Sequence, residues 1–216
     1  MKHSTELIVL NVTKIKDSAV VVHCLSREFG RRSFVVNVGK GRAMAMFQPL
    51  NILEAEVLEN PKSDLWRATS IVAQYPLSGI RQNLHKNTMT LFMSEVLYRT
   101  IHEGAYEEGL YDWCVRSVLT LDALESDFSN YHLRFLLELA VAMGFAPTMQ
   151  DLAPFAGSRY NELSALMEST FSESMLIPLS GPVRNELADD LLRYLSYHTE
   201  SNINIQSLKV LRELYQ

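Results

Sequence analysis

The fold is decided by residues 19–38, which have the sequence AVVVHCLSREFGRRSFVVNV. Two runs rich in valine, 19–25 and 31–38, flank the turn Glu28-Phe29-Gly30. Valine and phenylalanine favour strands, and a short run of polar residues and glycine between two such segments favours a turn. The stretch therefore predicts two consecutive strands joined by a turn.

Three further segments of the N-terminal third have the same character. Residues 7–12 are short and β-branched, 52–58 alternate apolar and acidic side chains, and 65–72 follow the turn 60–64. Residues 39–44 are rich in glycine and basic side chains and favour a loop. Five short strands separated by turns predict a small barrel of the size of an OB-fold, a fold that commonly binds single-stranded nucleic acid.

The apolar spacing changes after residues 75–79 from a period of two to the three/four spacing of helices. The pattern predicts helices at 84–102, 106–124, 127–143, 160–168, 183–198 and 206–215. Because all strands precede all helices, a βαβ fold is disfavoured. We predict an OB-fold domain over residues 1–78, which binds nucleic acid, and an all-helical domain over 79–216, which binds partners.

The composition is that of an ordinary globular protein. The chain has 216 residues, of which 47% are hydrophobic and 21% charged. No apolar run reaches 18 residues and no secretory signal is visible, so we expect a cytoplasmic protein without a membrane span. The two cysteines, Cys24 and Cys114, suggest neither a disulfide framework nor a four-cysteine metal site.

Charge is distributed unevenly along the chain. The net charge is −5, yet residues 1–48 carry eight basic and three acidic side chains, whereas residues 81–216 carry ten basic and eighteen acidic ones. Such asymmetry indicates a module that faces a polyanion, joined to a second module of different function. Chance composition is the alternative explanation.

The chain has no sequence signature of catalysis. It has no phosphate-binding glycine motif, no zinc-protease motif and no nucleophile elbow, and its six histidines are scattered. We therefore predict a protein that is not an enzyme and that has no cofactor and no metal.

A phosphate-binding surface needs several cations, and a base-binding surface usually adds aromatic rings. The cations of the predicted strands and loop are the candidate DNA-binding residues, together with one phenylalanine: Arg27, Arg31, Arg32, Lys40, Arg42 and Phe34. Phe47 is a second aromatic candidate. Two alternatives stay open, because the phenylalanines could belong to the barrel core and the loop cations could face only solvent.

Several motifs, in this order, resemble those of the RecO family of bacterial recombination mediators. They are DSAVV with REFGRRSF at 17–34, FQPL before LEAEV at 47–57, LFMSEVL at 91–97, LRFLLEL with GFAP at 133–147, and IQSLKVL at 205–211. The resemblance covers nearly the whole chain.

The resemblance implies an OB-fold domain followed by a helical domain. It implies binding of single- and double-stranded DNA, strand annealing, and loading of the RecA recombinase onto DNA coated with single-strand binding protein. The implied partners are RecR and the acidic C-terminal tail of the single-strand binding protein, and association with the nucleoid follows. Many members carry four zinc-binding cysteines after the Gly-Phe-Pro step, but this chain has no cysteine beyond Cys114, so we predict no zinc.

An acidic tail with an apolar end needs an apolar pocket beside a cation. Arg134 and Leu137, on the predicted third helix, are the candidate partner-binding residues. Alternatively, Arg134 only pairs with Glu138 at helical spacing. For the protein as a whole, the second hypothesis is a repair-machinery adaptor with little DNA affinity of its own.

Overall fold

The computed structural model describes residues 1–38 and 44–214. Its strands are β1 Lys2–Lys16, β2 Ala19–Ser26, β3 Gly30–Asn37, β4 Ile52–Leu58 and β5 Leu65–Ala73, with a 3₁₀ helix at Met44–Phe47. The helices are α1 Ser78–Arg81, α2 Leu84–Thr100, α3 Leu110–Ala123, α4 Tyr131–Ala142, α5 Met149–Leu152, α6 Tyr160–Glu168, α7 Phe171–Leu176, α8 Gly181–His198 and α9 Ser207–Leu214.

The five strands form a closed barrel in the order β1-β2-β3-β5-β4. All neighbouring strands are antiparallel except β3 and β5, which are parallel. This is the small Greek-key barrel of the OB-fold. The fold class predicted from the sequence, an OB barrel followed by helices, is therefore confirmed.

Strand β1 is much longer than the predicted strand at 7–12. Its first half, Lys2–Ile8, pairs with β4, and its second half, Leu7–Lys16, pairs with β2. Register shifts between Val9 and Asn11 and between Lys14 and Lys16 interrupt the pairing with β2. Such bulges bend a strand and increase its twist, which lets one strand border two neighbours in a closed barrel.

The barrel interior follows the period-two rule of strands. On β2, Val20, Val22 and Cys24 are buried inside, whereas Val21 and His23 on the opposite face are only half-buried. Burial strongly raises the pKa of the Cys24 thiol, so this cysteine is an inert core residue. Apolar side chains from β3, from β5 and from the 3₁₀ helix complete the core: Phe34, Val36, Trp66, Ala68 and Phe47.

The chain separates into two compact units. The first contains Met1–Ser78 together with Ile101–Val118, and the second contains Gly79–Thr100 together with Leu119–Gln216. The prediction placed the boundary at residues 78 and 79, with all of 101–118 in the second domain. In the structure this segment packs with the barrel instead.

Gly30 explains how the barrel accepts residues 101–105. It has a φ of +64°, and a Cβ at this position would lie 1.9 Å from the carbonyl oxygen of Ala105. Next to it, the Arg31 amide donates to the Ala105 carbonyl at 3.1 Å, and the Gly104 amide donates to the Arg31 carbonyl at 2.8 Å. The turn of the β2–β3 hairpin therefore pairs, backbone to backbone, with a segment that lies 70 residues further along the chain.

The second unit is built around α4, whose side chains are buried along most of its length. Asn130, just before α4, donates through Nδ2 to the carbonyls of Ser174 at 3.0 Å and Ile177 at 2.8 Å. The neighbouring helices have sequence-encoded starts. Thr170 and Glu173 form a capping box on α7, and Ser180 caps α8, which has a proline in its first turn.

His132 on α4 is a buried histidine with a strongly lowered pKa. It is 3% exposed and its ring lies 6.0 Å from that of Phe92, edge to face. Burial, together with the nearby positive charge of Arg184, lowers the pKa of His132 to about 3. The imidazole is therefore neutral in the folded protein at any pH above this value.

The close approach at Gly30 gives a first prediction. Gly30→Ala should lower the free energy of unfolding by at least about 3 kcal/mol, since the new methyl group collides with the Ala105 carbonyl in addition to the left-handed strain. Gly109→Ala is the matched control, because Gly109 has a φ of +79° but no atom within 4 Å of its Cβ position. Its cost should be only about 1–2 kcal/mol. Equal losses in urea unfolding would contradict this account.

His132 gives a second prediction. The unfolded chain binds a proton near pH 6.5 and the folded chain does not, so this contribution to stability is complete above pH 6.5 and is lost as pH falls toward 3. The expected slope is about 1.4 kcal/mol per pH unit. His132→Gln should remove it, whereas His198→Gln, at an exposed position, should keep it. Urea unfolding between pH 7 and 4 measures both, and an unchanged slope in His132→Gln would refute the assignment.

Candidate nucleic-acid interface

Arg27 follows β2 and is held by two carboxylates. Its Nε donates to Glu6 Oε2 at 2.5 Å and its Nη1 donates to Asp112 Oδ1 at 2.6 Å, while its guanidinium carbon lies 4.7 Å from the ring centre of Tyr111. Burial alone would raise the pKa of Glu6, but hydrogen bonds from Gln74 and Arg27 outweigh it and lower that pKa. The charge of Arg27 is thus balanced within the protein.

Arg31 is still more enclosed, with 13% of its side chain exposed. Its Nη1 donates to the Ile101 carbonyl at 2.5 Å, and its Nε lies 3.5 Å from Glu103 Oε2. Arg27 and Arg31 therefore both attach the segment 101–112 to the barrel. We call these two arginines, with the residues of 101–112 that they bind, the arginine clamp.

Arg32, the next residue of β3, places its guanidinium beside Gly104, with Nη1 3.6 Å from the position of a Cβ at that glycine. Its guanidinium carbon lies 5.3 Å from the ring centre of Trp66, and its Nη1 is 3.6 Å from Asp64 Oδ1. Only 24% of the side chain is exposed, against 87% for Asp64. Arg32 thus lies beside the β4–β5 turn. Within residues 1–38 and 44–214, its carboxylate partner is the exposed Asp64.

The stacking role predicted for Phe34 does not fit its position. Phe34 is 0% exposed and lies in the barrel core, with its ring centre 6.4 Å from that of Trp66. A fully buried ring has no face for a base, so Phe34 is a core residue, and Phe47, at 5% exposure, is another. Lys40 and Arg42 lie outside the described residues, and their predicted role stays a prediction.

A groove runs along β3, β5 and the turn between β4 and β5. Strands β3 and β5 pair only over Ser33–Val35 and Leu65–Arg67. Beyond this short ladder, a cavity of about 320 Å³ is lined by Val36, Asn37, Met46, Phe47, Arg67, Ala68, Thr69, Ser70 and Ile71. A second cavity, of about 590 Å³, is lined by Val35, Leu58, Glu59, Asn60, Ser63, Leu65, Trp66 and Arg67.

A third cavity, of about 330 Å³, continues the groove at the β4–β5 turn. It is lined by Arg32, Glu59, Asn60, Pro61, Lys62, Ser63, Asp64 and Trp66. The first two cavities share Arg67, and the last two share the turn and Trp66. We call the three together the β3–β5 groove.

Two exposed cations of the groove were not among the residues singled out from the sequence. Arg67 and Lys62 are exposed, and neither makes an ion pair with a carboxylate of residues 1–38 or 44–214. The alternation on β5 could have identified Arg67, because Trp66 and Ala68 on either side are buried. Lys62 stands in the turn that the sequence did predict. A turn pattern alone, however, does not show that the side chain of Lys62 lines a groove.

His23 occupies the outer face of β2 between two hydroxyl groups. Its Nε2 is 3.1 Å from Thr13 Oγ1 and its Nδ1 is 2.8 Å from Ser33 Oγ. Burial lowers the pKa of His23 below its usual value; the negative charge of Glu103 opposes this shift and the positive charge of Arg31 adds to it. His23 therefore adds no positive charge to this face at neutral pH, and both of its ring nitrogens already contact hydroxyl groups of the barrel.

Arg134 and Leu137, the predicted partner-binding pair, lie on α4 in the second unit. Arg134 Nε donates to Glu138 Oε1 at 2.7 Å, and its Nη1 donates to the carbonyls of Ser169 at 3.0 Å and Leu166 at 3.4 Å. It thereby satisfies carbonyls at the end of α6. Leu137 is 6% exposed. Arg134 keeps 20% of its side chain exposed.

The described residues include neither a metal-binding cluster nor a membrane-spanning helix. In residues 1–38 and 44–214, no three His, Cys, Asp or Glu side chains are grouped so as to hold a metal ion. Over the same ranges, no helix is both long enough and apolar enough to cross a membrane.

The closed barrel followed by helices defines an OB-fold protein with a helical region. Family models agree with this class. The model described as "Recombination protein O N terminal" matches residues 1–75, and the one described as "Recombination protein O C terminal" matches residues 81–154.

Curated relatives extend the match to the whole chain. A DNA repair protein RecO of Phocaeicola vulgatus is 29% identical over 243 residues, covering 100% of both chains. One of Bacteroides fragilis is 32% identical over 78% of this chain and 71% of the relative, and one of Flavobacterium psychrophilum is 27% identical over 100% of both. The chain therefore belongs to the RecO family of DNA repair and recombination proteins.

Proposed function

We propose that this protein is a non-enzymatic mediator of DNA repair that binds single-stranded DNA in the β3–β5 groove. In this role it anneals complementary strands and helps load the RecA recombinase onto DNA coated with single-strand binding protein. The observation that carries the proposal is the groove itself, with Arg67 and Lys62 exposed along an OB barrel.

Electrostatics favours this groove over the arginine clamp as the DNA-binding surface. A phosphate binds where a cation has no internal partner, since displacing a carboxylate first costs the ion pair already made. Arg27 and Arg31 already have such partners, whereas Arg67 and Lys62 make no ion pair with a described carboxylate. Two elements of the groove, β3 and the β4–β5 turn, are among those with which OB-folds commonly hold oligonucleotides.

Membership of the family supports the partners inferred from the resemblance. We propose that double-stranded DNA, RecR and the acidic tail of the single-strand binding protein bind this protein, with the RecA filament affected indirectly. For the tail, Arg134 stays our candidate, whereas Leu137, at 6% exposure, packs inside the helical unit and offers a partner no exposed surface of note. A fifth of the Arg134 side chain is exposed, and a tail carboxylate would approach it from that side.

The alternative is a repair-machinery adaptor with little DNA affinity of its own. Two observations favour it: residues 81–216 carry a net charge of −8, and two of the predicted DNA-binding arginines are committed to the clamp. The two functions differ in one measurable property, which is the affinity for single-stranded DNA at low salt.

A salt titration of binding to an oligothymidine tests the proposed function. Affinity should fall steeply as salt rises, because bound phosphates release counterions. Arg67→Ala and Lys62→Ala should each reduce the slope of log K against log salt by about 0.7. Arg116→Ala, which removes an exposed arginine of the same unit outside the groove, should leave the slope unchanged. Fluorescence anisotropy measures all four proteins.

Two results would count against this proposal. Absence of binding by the wild type at low salt would favour the adaptor. Equal slopes for the wild type and both groove variants would move the DNA to another surface.

Arg134→Ala tests the tail proposal. The substitution should weaken binding of a peptide with the tail sequence by about tenfold, since a charge-assisted hydrogen bond is lost. Arg159→Ala is the control, because Arg159 also pairs with a carboxylate, Glu186, in the same unit. Isothermal calorimetry on variants with unchanged circular dichroism decides the matter. Equal peptide affinities for wild type and Arg134→Ala would leave Arg134 as a helix-capping residue only.

A further inference from the structure

Five aromatic rings form a connected cluster at the C-terminal end of α8. The ring centres of Tyr194 and His198 are 4.3 Å apart, and those of Tyr197 and His198 are 5.2 Å apart. The ring centre of Phe155 lies 5.6 Å from that of Tyr194 and 5.9 Å from that of Tyr197. The ring centre of Phe145 lies 5.2 Å from that of His198. We call these five rings, all of which belong to the second unit, the aromatic platform.

The platform has a buried side and an open side. Tyr194 is 1% exposed and supports the other rings from within, whereas Tyr197 is 71% exposed and His198 is exposed as well. Phe145 and Phe155 are half-buried. Aromatic side chains are enriched in protein interfaces, and an exposed patch of connected apolar groups marks an interaction site more often than scattered residues do. The open side of the platform therefore has the composition of a docking surface.

Arg193 and a backbone hydrogen bond hold the platform in place. The Arg193 Nη2 donates to the Phe155 carbonyl at 3.0 Å and also to the Asp190 carboxylate. The Phe155 amide donates to the Leu152 carbonyl at 2.9 Å. The loop that carries Phe155 is thus fixed on α8, and the charge of Arg193 is matched by Asp190. A surface that is already ordered loses little conformational entropy when a partner binds.

Two carboxylates lie beside the platform. Glu200 follows α8, and its amide donates to the Tyr197 carbonyl at 3.4 Å. Asp151 interacts electrostatically with His198. Hydrogen bonds from the side chain and the amide of Thr148 lower the pKa of Asp151, against a smaller opposing effect of desolvation, so this carboxylate is ionised at neutral pH. The platform therefore combines aromatic faces with negative charge.

This combination fits a cation. The face of an aromatic ring attracts positive charge because the ring quadrupole is negative there. The guanidinium of arginine is planar and always charged, and it stacks on such faces, whereas the ammonium of lysine is compact and strongly hydrated. Residues 81–216 carry a net charge of −8, which attracts a basic segment over a longer range. An acidic segment would be repelled by Asp151 and Glu200.

We propose that the aromatic platform docks an arginine-containing basic segment of a partner protein, with a guanidinium stacked on Tyr197. Asp151 and Glu200 supply the negative potential that balances the bound charge. The inference goes beyond the proposed function, because it adds a protein-binding site that needs neither DNA nor Arg134. The acidic tail proposed for Arg134 has the opposite charge and is a different ligand.

A peptide of alternating arginine and glycine, labelled with fluorescein, tests the platform. It is titrated against the full-length protein at about 150 mM salt, and fluorescence anisotropy measures its affinity. Tyr197→Ala should weaken binding at least about fivefold, whereas Tyr197→Phe, which keeps the ring, should bind as tightly as the wild type. Tyr160→Ala is the control and should bind like the wild type, because Tyr160 is an exposed tyrosine of the same unit, at 46%, outside the platform. A lysine peptide of equal length and charge should bind the wild type less tightly than the arginine peptide.

Several results would overturn this inference. They are equal affinities of the arginine peptide for the wild type and Tyr197→Ala, a loss in Tyr197→Phe as large as in Tyr197→Ala, and equal affinities of the wild type for the two peptides. Self-association of the wild type that Tyr197→Ala abolishes, measured by sedimentation without peptide, would assign the platform to a second copy of this chain instead. Tyr197 is exposed, so both variants are expected to fold, which circular dichroism checks. DNA binding in the β3–β5 groove is tested separately by the salt titration, so either proposal can fail without the other.

Discussion

The approach of the Ala105 carbonyl to Gly30 is the contact on which the first unit depends. It places residues 101–105 against the β2–β3 turn through two backbone hydrogen bonds, and only glycine leaves room for it. Once this segment is in place, Ile101, Glu103 and Asp112 lie within reach of Arg27 and Arg31. The charges of Arg27 and Arg31 are thereby balanced by carboxylates. The exposed cation Arg67, which has no ion pair with a described carboxylate, lies on β5 instead.

The barrel was largely predictable from the sequence, because alternation and turn residues are local properties. The two runs at 19–25 and 31–38 and the turn at Gly30 lie where the pattern placed them. The extent of β1 was missed, since a strand that changes partners at a bulge has no uniform alternation. Among the helices, the small helices α5 and α7 were not predicted. Their capping boxes at Thr148 and Thr170 were the available signal.

The site was less predictable than the fold, for a physical reason. A cluster such as Arg27, Arg31 and Arg32 predicts positive potential only if no acid from elsewhere in the chain meets it. Asp112 lies 85 residues from Arg27, and nothing in the spacing of either residue shows that they form an ion pair. Arg67, in contrast, is isolated in the sequence and exposed in the fold. Counting charges along the sequence therefore overestimates the positive potential around clustered cations and underestimates the positive potential around isolated ones.

The parallel ladder between β3 and β5 has a consequence for how the barrel moves. It consists of three residue pairs, whereas the ladders that β1 makes extend over seven or more. Amide protons along this seam should therefore exchange with solvent through small local openings at lower free energy than those of β1. Such openings separate the two strands that border the groove and leave the antiparallel hairpins intact. The β3–β5 ladder, which closes the barrel, has only three residue pairs. Local opening of this ladder should therefore widen the groove at a lower free energy than unfolding of the whole barrel requires.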